Sequence, residues 1–143
     1  MIKSEPAYQK AVEKLKDDEN YIAQERKRFQ EMNLSPENVE IAIQSLVSFH
    51  EQLKSEVEYY EKIKRGTFNP IHKFTDIGRT LIAFRIYKNI SQKELAERLG
   101  VSAAQISRDE RHEYYGATTE KIENVMQAMG MRVNIVIDEI IGA

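Results

Sequence analysis

Residues 91–108 read SQKELAERLGVSAAQISR, and they spell two short helices with a tight corner between them. Ser91 can cap the first helix, its hydroxyl accepting a bond from a free amide two or three residues on. Leu95, Ala96 and Leu99 then fall on one face at helical spacing. Gly100 follows at once, and glycine is the residue that ends a helix in a left-handed conformation. Val101 is expected to pack back over the corner, and Ser102 to cap the second helix. There Ile106 points inward, which leaves Ala103, Ala104, Gln105, Ser107 and Arg108 on the other faces. The same pattern also fits an ordinary αα-hairpin inside another helical domain.

Taken together, Gln92, Leu95, Ala96, Leu99, Gly100, Val101, Ser102 and Ile106 resemble the helix-turn-helix of the Cro and lambda-repressor-like family, also called the XRE type. The small Ala96 suits a place where two helix backbones approach closely. The resemblance implies that the second helix enters the DNA major groove. It further implies that Gln92 meets the phosphate backbone, and that Ala103, Ala104 and Arg108 face base edges. Arg108 can donate two bonds to a guanine, a pairing worth ~1–3 kcal/mol of discrimination. Ala103 or Ala104 can touch a thymine methyl, and Gln105 and Ser107 can bond phosphate or base. Ser102 combines contact with capping, and Arg111 and Lys88 are candidate backbone contacts. The family often pairs an arginine on its first helix with a glutamate after the recognition helix; here those positions are Arg85 and Glu110.

Two features depart from the family pattern. Asp109 stands where an apolar or aromatic residue is usual. The loop Arg111-His112-Glu113-Tyr114-Tyr115-Gly116 is longer than usual, and Tyr114 or Tyr115 is expected to supply the contact that Asp109 cannot.

Upstream, Ser4 or Glu5 opens a long amphipathic helix with Tyr8, Val12, Leu15, Ile22 and Phe29 along one side. Asn33-Leu34-Ser35-Pro36-Glu37 is a corner: Ser35 caps, Pro36 takes the first helical position, and Glu37 suits the positive end of the dipole. A second helix runs to about Arg65. Val39, Leu46, Leu53 and Tyr60 form one row and Ile43, His50, Val57 and Lys64 another, with Ala42, Phe49 and Ile63 widening the stripe. Gly66 stops it, and residues 67–74 with Pro70 form a linker. Thr75 or Asp76 is expected to cap the next helix, whose inner face is Ile77, Leu81 and Phe84. Asn89 ends it.

Downstream, Thr118 caps a helix with Ile122, Val125, Met126 and Met129 inward, and Gly130 ends it. The period then changes. Met131, Val133, Ile135 and Ile137 alternate with Arg132, Asn134, Val136 and Asp138, which predicts a strand. An unpaired strand leaves its amides and carbonyls without partners. Antiparallel pairing with the same strand of a second chain, through Val133, Ile135 and Ile137, is the simplest solution and makes a homodimer. Pairing within the chain, or apolar packing of an irregular tail, are the alternatives.

Composition narrows the functional classes. The chain has no cysteine, which excludes disulfides and thiolate zinc sites. His50, His72 and His112 make no HExxH-type pair, and no Gly-rich phosphate loop or serine elbow is present. No catalytic, metal or cofactor site is therefore expected. No apolar run reaches the length of a membrane span, and the first residues lack the apolar stretch of a signal peptide. A cytoplasmic protein without a membrane partner is the expectation. Net charge is −2, but residues 67–112 hold eight basic and five acidic groups, a local excess of +3. That small excess suits binding of a short specific site.

The expected architecture is mainly α: an αα-hairpin over 1–66, a linker over 67–74, a lambda-repressor-like domain over 75–130, and a C-terminal strand within 131–143. The expected function is a sequence-specific transcriptional regulator, a repressor binding double-stranded DNA at a palindromic operator as a dimer. An antitoxin, in which the hairpin or strand holds a toxin protein, and an interaction adaptor that has lost DNA binding are the other readings.

Overall fold

The computed structural model describes residues 1–142, which form six α-helices and one 3-10 turn in two compact units, residues 1–68 and residues 69–142.

The first unit is a hairpin of α1 (Glu5–Glu31) and α2 (Pro36–Lys64). Ser4 Oγ accepts from the Ala7 amide at 3.3 Å and Ser35 Oγ from Asn38 at 3.2 Å, so both helices start at serine caps. Asn33 turns the chain between them at φ 58°. The helices are antiparallel, as their cross-links show. Tyr8 donates to Glu61 at 2.7 Å, Tyr60 donates to Glu5 at 3.0 Å, and the two rings stack with centroids 4.9 Å apart. At the corner end, Arg26 bridges to Glu40 at 3.1 Å. The seam buries Ala11 against Val39, Ile43, Val57, Tyr60 and Ile63. It is narrower than the heptad rows predict. Leu15, Ile22, Leu46 and Leu53 are half-buried, Ala42 and Lys64 are exposed, and Phe49 is 72% exposed. Within a two-helix unit no third element covers the flank on which Phe49 lies.

The second unit holds the 3-10 turn Phe74–Asp76, α3 (Ile77–Tyr87), α4 (Gln92–Leu99), α5 (Ala103–Arg111) and α6 (Thr119–Met129). Its core is Leu81, Ile82, Ile86, Leu95, Ile106, Tyr114, Val125 and Met129. Neither Thr75 nor Asp76 caps α3 through its side chain. The 3-10 turn runs straight into α3, and Asp76 already has a helical backbone (φ −83°, ψ −10°), so its side chain is not placed as a cap. The inner face of α3 is also broader than Ile77, Leu81 and Phe84. It includes Gly78, Ile82, Arg85 and Ile86, while Ile77 and Phe84 are half-buried.

The predicted C-terminal strand is not formed: among the described residues there is no strand, and 131–140 carry no regular structure. The alternation of Val133, Ile135 and Ile137 is real in the sequence, but among the described residues no second extended segment bonds to it. Instead Val133 and Ile135 line an apolar groove of about 620 Å³ beside Phe74, Ile77, Tyr114 and Met126. Beyond the groove, Ile137 is 96% exposed.

Candidate nucleic-acid interface

The α4–α5 corner is built by local backbone chemistry. Ser91 Oγ accepts from the Glu94 amide at 3.0 Å, and Ser102 Oγ from the Gln105 amide at 3.1 Å. Gly100 sits at φ 68°, and the next amide, Val101, donates back to Ala96 at 3.0 Å. This is the bond pattern of a Schellman stop. Val101 thus closes the corner through its N–H, while the residue itself is 44% exposed.

At 100° per residue, α5 sorts its side chains cleanly. Ile106 and Glu110 are buried. Arg108 projects from the opposite side, flanked by Ala104 and Arg111, and all three are exposed. Ala103 and the cap Ser102 are exposed at the start of the helix, while Gln105 and Ser107 are half-buried. The helix therefore presents two long basic side chains, Arg108 and Arg111, on a face whose start, Ala103 and Ala104, is low in relief.

One buried polar cluster fixes α5 beneath that face. Arg85 of α3 and Glu110 of α5 form a two-bond ion pair, Nε with Oε1 and Nη2 with Oε2, the second at 2.9 Å. Both side chains are almost wholly buried. The third guanidinium arm donates to the Ile90 carbonyl at 2.9 Å, tying in the loop before α4. Gln92 Nε2 donates to Glu110 Oε2 at 2.7 Å, so the amide assigned to phosphate contact is also a partner of the buried pair. A buried pair of this kind is tolerated only because its remaining donors and acceptors are met.

The exit from α5 resolves the long loop. Glu113 and Tyr114 both take positive φ, 51° and 56°, and the Tyr114 amide donates to Asp109 at 2.8 Å. Tyr114 folds inward and is buried, whereas Tyr115 is 85% exposed. Burial pushes the Tyr114 phenol well above its ordinary range, with Glu110 and Asp109 adding to the effect. Gly78 makes this turn possible: a Cβ there would stand 1.7 Å from the Glu113 carbonyl oxygen. Nothing in the sequence around Gly78 announces that contact, since its partner lies 35 residues on.

Asp109 is not left bare at its unusual position. It pairs with Lys121 of α6 at 2.8 Å and accepts from Gln105 at 3.0 Å. The spacing of Gln105 and Asp109 is the i, i+4 of helix neighbours and readable in principle; the partner Lys121, on another helix, is not. Arg98 joins α4 to the end of α6 by donating to the Ala128 carbonyl at 2.9 Å, a cation at the negative end of a helix.

Two capped helices meeting at a left-handed glycine, with the second turned outward, are the geometry of a DNA-reading corner. Residues 81–133 match the helix-turn-helix family, of the Cro/C1 type. The helix-turn-helix match begins inside α3 and ends just past α6, well short of half the chain, and leaves the hairpin outside it. No curated protein and no solved structure matches the chain. The helix-turn-helix segment supports a DNA-binding regulator. Among the described residues no helix is long and apolar enough to cross a membrane, and no cluster of three or more acidic or histidine side chains is placed to hold a metal.

Proposed function

We propose that this protein is a sequence-specific transcriptional regulator, a repressor that occupies a palindromic or near-palindromic operator as a homodimer. The observation that carries the reading is the outward face of α5, with Arg108 opposite the buried Ile106 and Glu110. In this reading α5 enters the major groove and Arg108 donates two bonds to a guanine. Ala103 and Ala104 lie against base edges. Gln92, Ser102, Gln105, Ser107 and Arg111 supply the surrounding phosphate and base contacts, and the free amides at the starts of α4 and α5 assist. The dimer is supported by the tail. Ile135, Val136, Ile137, Ile140 and Ile141 are all strongly exposed, and a run of exposed aliphatic side chains marks a contact surface.

Selection of bound fragments from genomic DNA tests the proposal directly. On a selected fragment, Arg108→Ala should weaken binding by about tenfold to a hundredfold, in keeping with the worth of a bidentate arginine–guanine pair. Its helical circular dichroism should match the wild type. Equal binding by the two proteins removes Arg108 from the readout, and recovery of no fragment even at low salt favours an interaction adaptor.

A second reading, the antitoxin of a toxin–antitoxin pair, draws support from the hairpin. Exposed Tyr21 and Phe49 border a groove of about 380 Å³ with Ile22, Leu46 and Leu53 in its lining. Co-purification with a small basic protein, lost on Phe49→Glu, would favour it.

A further inference from the structure

Four side chains form a continuous polar chain leading from α6 to the tip of the outward face. Lys121 Nζ lies 2.8 Å from Asp109 Oδ2. Gln105 Nε2 donates to Asp109 Oδ1 at 3.0 Å. Arg108 Nη2 donates to Gln105 Oε1 at 2.8 Å. The polarity of every link is dictated. An ammonium only donates and a carboxylate only accepts, so the Gln105 amide must turn its NH₂ toward Asp109. That turns its carbonyl toward Arg108, whose guanidinium can only donate. Asp109 is well shielded, its side chain 14% exposed, whereas Arg108 is at the surface. The inner end of the chain is therefore fixed and the outer end free to meet a ligand.

We propose that Asp109 and Lys121 are positioning residues for sequence reading. They hold the Gln105 amide in one orientation, and through it they hold the Arg108 guanidinium ready over the reading face. An unanchored arginine has many rotamers and must lose that freedom when it binds. Anchoring it beforehand lowers the ordering cost at the moment of recognition. Lys121 has a second role in the same chain: it neutralises Asp109, whose charge would otherwise oppose DNA phosphates. The unusual aspartate at the family's apolar position is the link that couples α6 to base discrimination. The inference rests on the DNA-binding reading above, so its test includes a measurement that needs no DNA.

The decisive variant is charge-balanced: Asp109→Ala with Lys121→Met removes one anion and one cation together. In the free protein, ¹⁵N relaxation of the Arg108 Nε–H should report an ordered side chain in the wild type and a mobile one in the double variant. On selected DNA, discrimination at the base read by Arg108 should fall about fivefold to tenfold, a part of what a bidentate pair supplies. Binding to unrelated DNA and its salt dependence should stay as in the wild type, because no phosphate contact is lost. In an Arg108→Ala background the double variant should cause no further loss of discrimination. Lys121→Arg, which can still pair with Asp109, should behave as wild type. An equally mobile Arg108 in wild type and variant overturns the positioning role, whatever the DNA result. A salt slope reduced by about one, with loss uniform over all sequences, would make Lys121 a phosphate contact instead. An ordered Arg108 in a wild type that binds no DNA would leave the polar chain standing and defeat the regulator reading, and with it the role in base reading.

Discussion

At the scale of single residues, Glu110 has the greatest structural consequence. It is buried and receives three donors, two from Arg85 and one from Gln92. Glu110→Ala strands the Arg85 guanidinium away from water, and removal of one member of a buried pair costs about 3–5 kcal/mol. The expected result is a large fall in the urea midpoint of the helix-turn-helix unit with the slope unchanged. Replacing both members, Arg85→Met with Glu110→Leu, should recover most of the loss, because apolar packing substitutes well for a buried pair. What remains is owed to the Ile90 carbonyl and the Gln92 amide, which lose a partner. The pairing of Arg85 with Glu110 could be anticipated through family resemblance. That of Asp109 with Lys121 could not, since it spans a turn with two successive left-handed residues, Glu113 and Tyr114.

At the scale of elements, the helix ends are the most readable part of this chain. Serine or threonine caps α1, α2, α4, α5 and α6. The stops at Asn89, Gly100 and Gly130 share one design, a left-handed residue followed by an amide that reaches back to Arg85, Ala96 and Met126 in turn. Each depends only on residues within a turn or two, so each is written locally. Helix contacts are a different matter. Gly78 of α3 touches the Glu113 backbone, and no side chain can be moved aside to make room. Gly78→Ala should destabilise the unit by roughly 3 kcal/mol or more, at the upper end of overpacking. Thermal melts would register it, whereas Gly→Ala at an ordinary exposed helix position is stabilising. Helical spacing likewise placed Phe49 in the hairpin stripe, although its flank of the seam has no cover within that unit. Periodicity reports which side of a helix is apolar, and it does not report how wide the neighbouring element is.

At the scale of the whole molecule, the C-terminal segment is the part whose apolar side chains are left most exposed. Val133 is half-buried and borders the apolar groove with Ile135, but Ile135 itself is strongly exposed and Val136, Ile137, Ile140 and Ile141 are more exposed still. If the tail joins two copies, a chain truncated after Gly130 should sediment as a monomer while keeping the helical circular dichroism of its six helices. Persistence of the same dimer after truncation would move the contact elsewhere. Loss of paired DNA reading should accompany the monomer, since two recognition helices on one duplex need a fixed spacing.

The sequence by itself determined the helices, the caps of all of them but α3, the glycine corner and the outward place of Arg108, because all of these follow from bonds and periodicities spanning a few residues. It also carried the alternation of residues 131–138, which is genuine, but alternation makes a strand only when another backbone offers a ladder. Tertiary structure alone decided that Tyr114 rather than Tyr115 turns inward, that Gly78 admits the Glu113 turn, and that Lys121 completes Asp109. Those contacts join positions far apart in the chain, and a local pattern holds no record of which distant surface will arrive beside it.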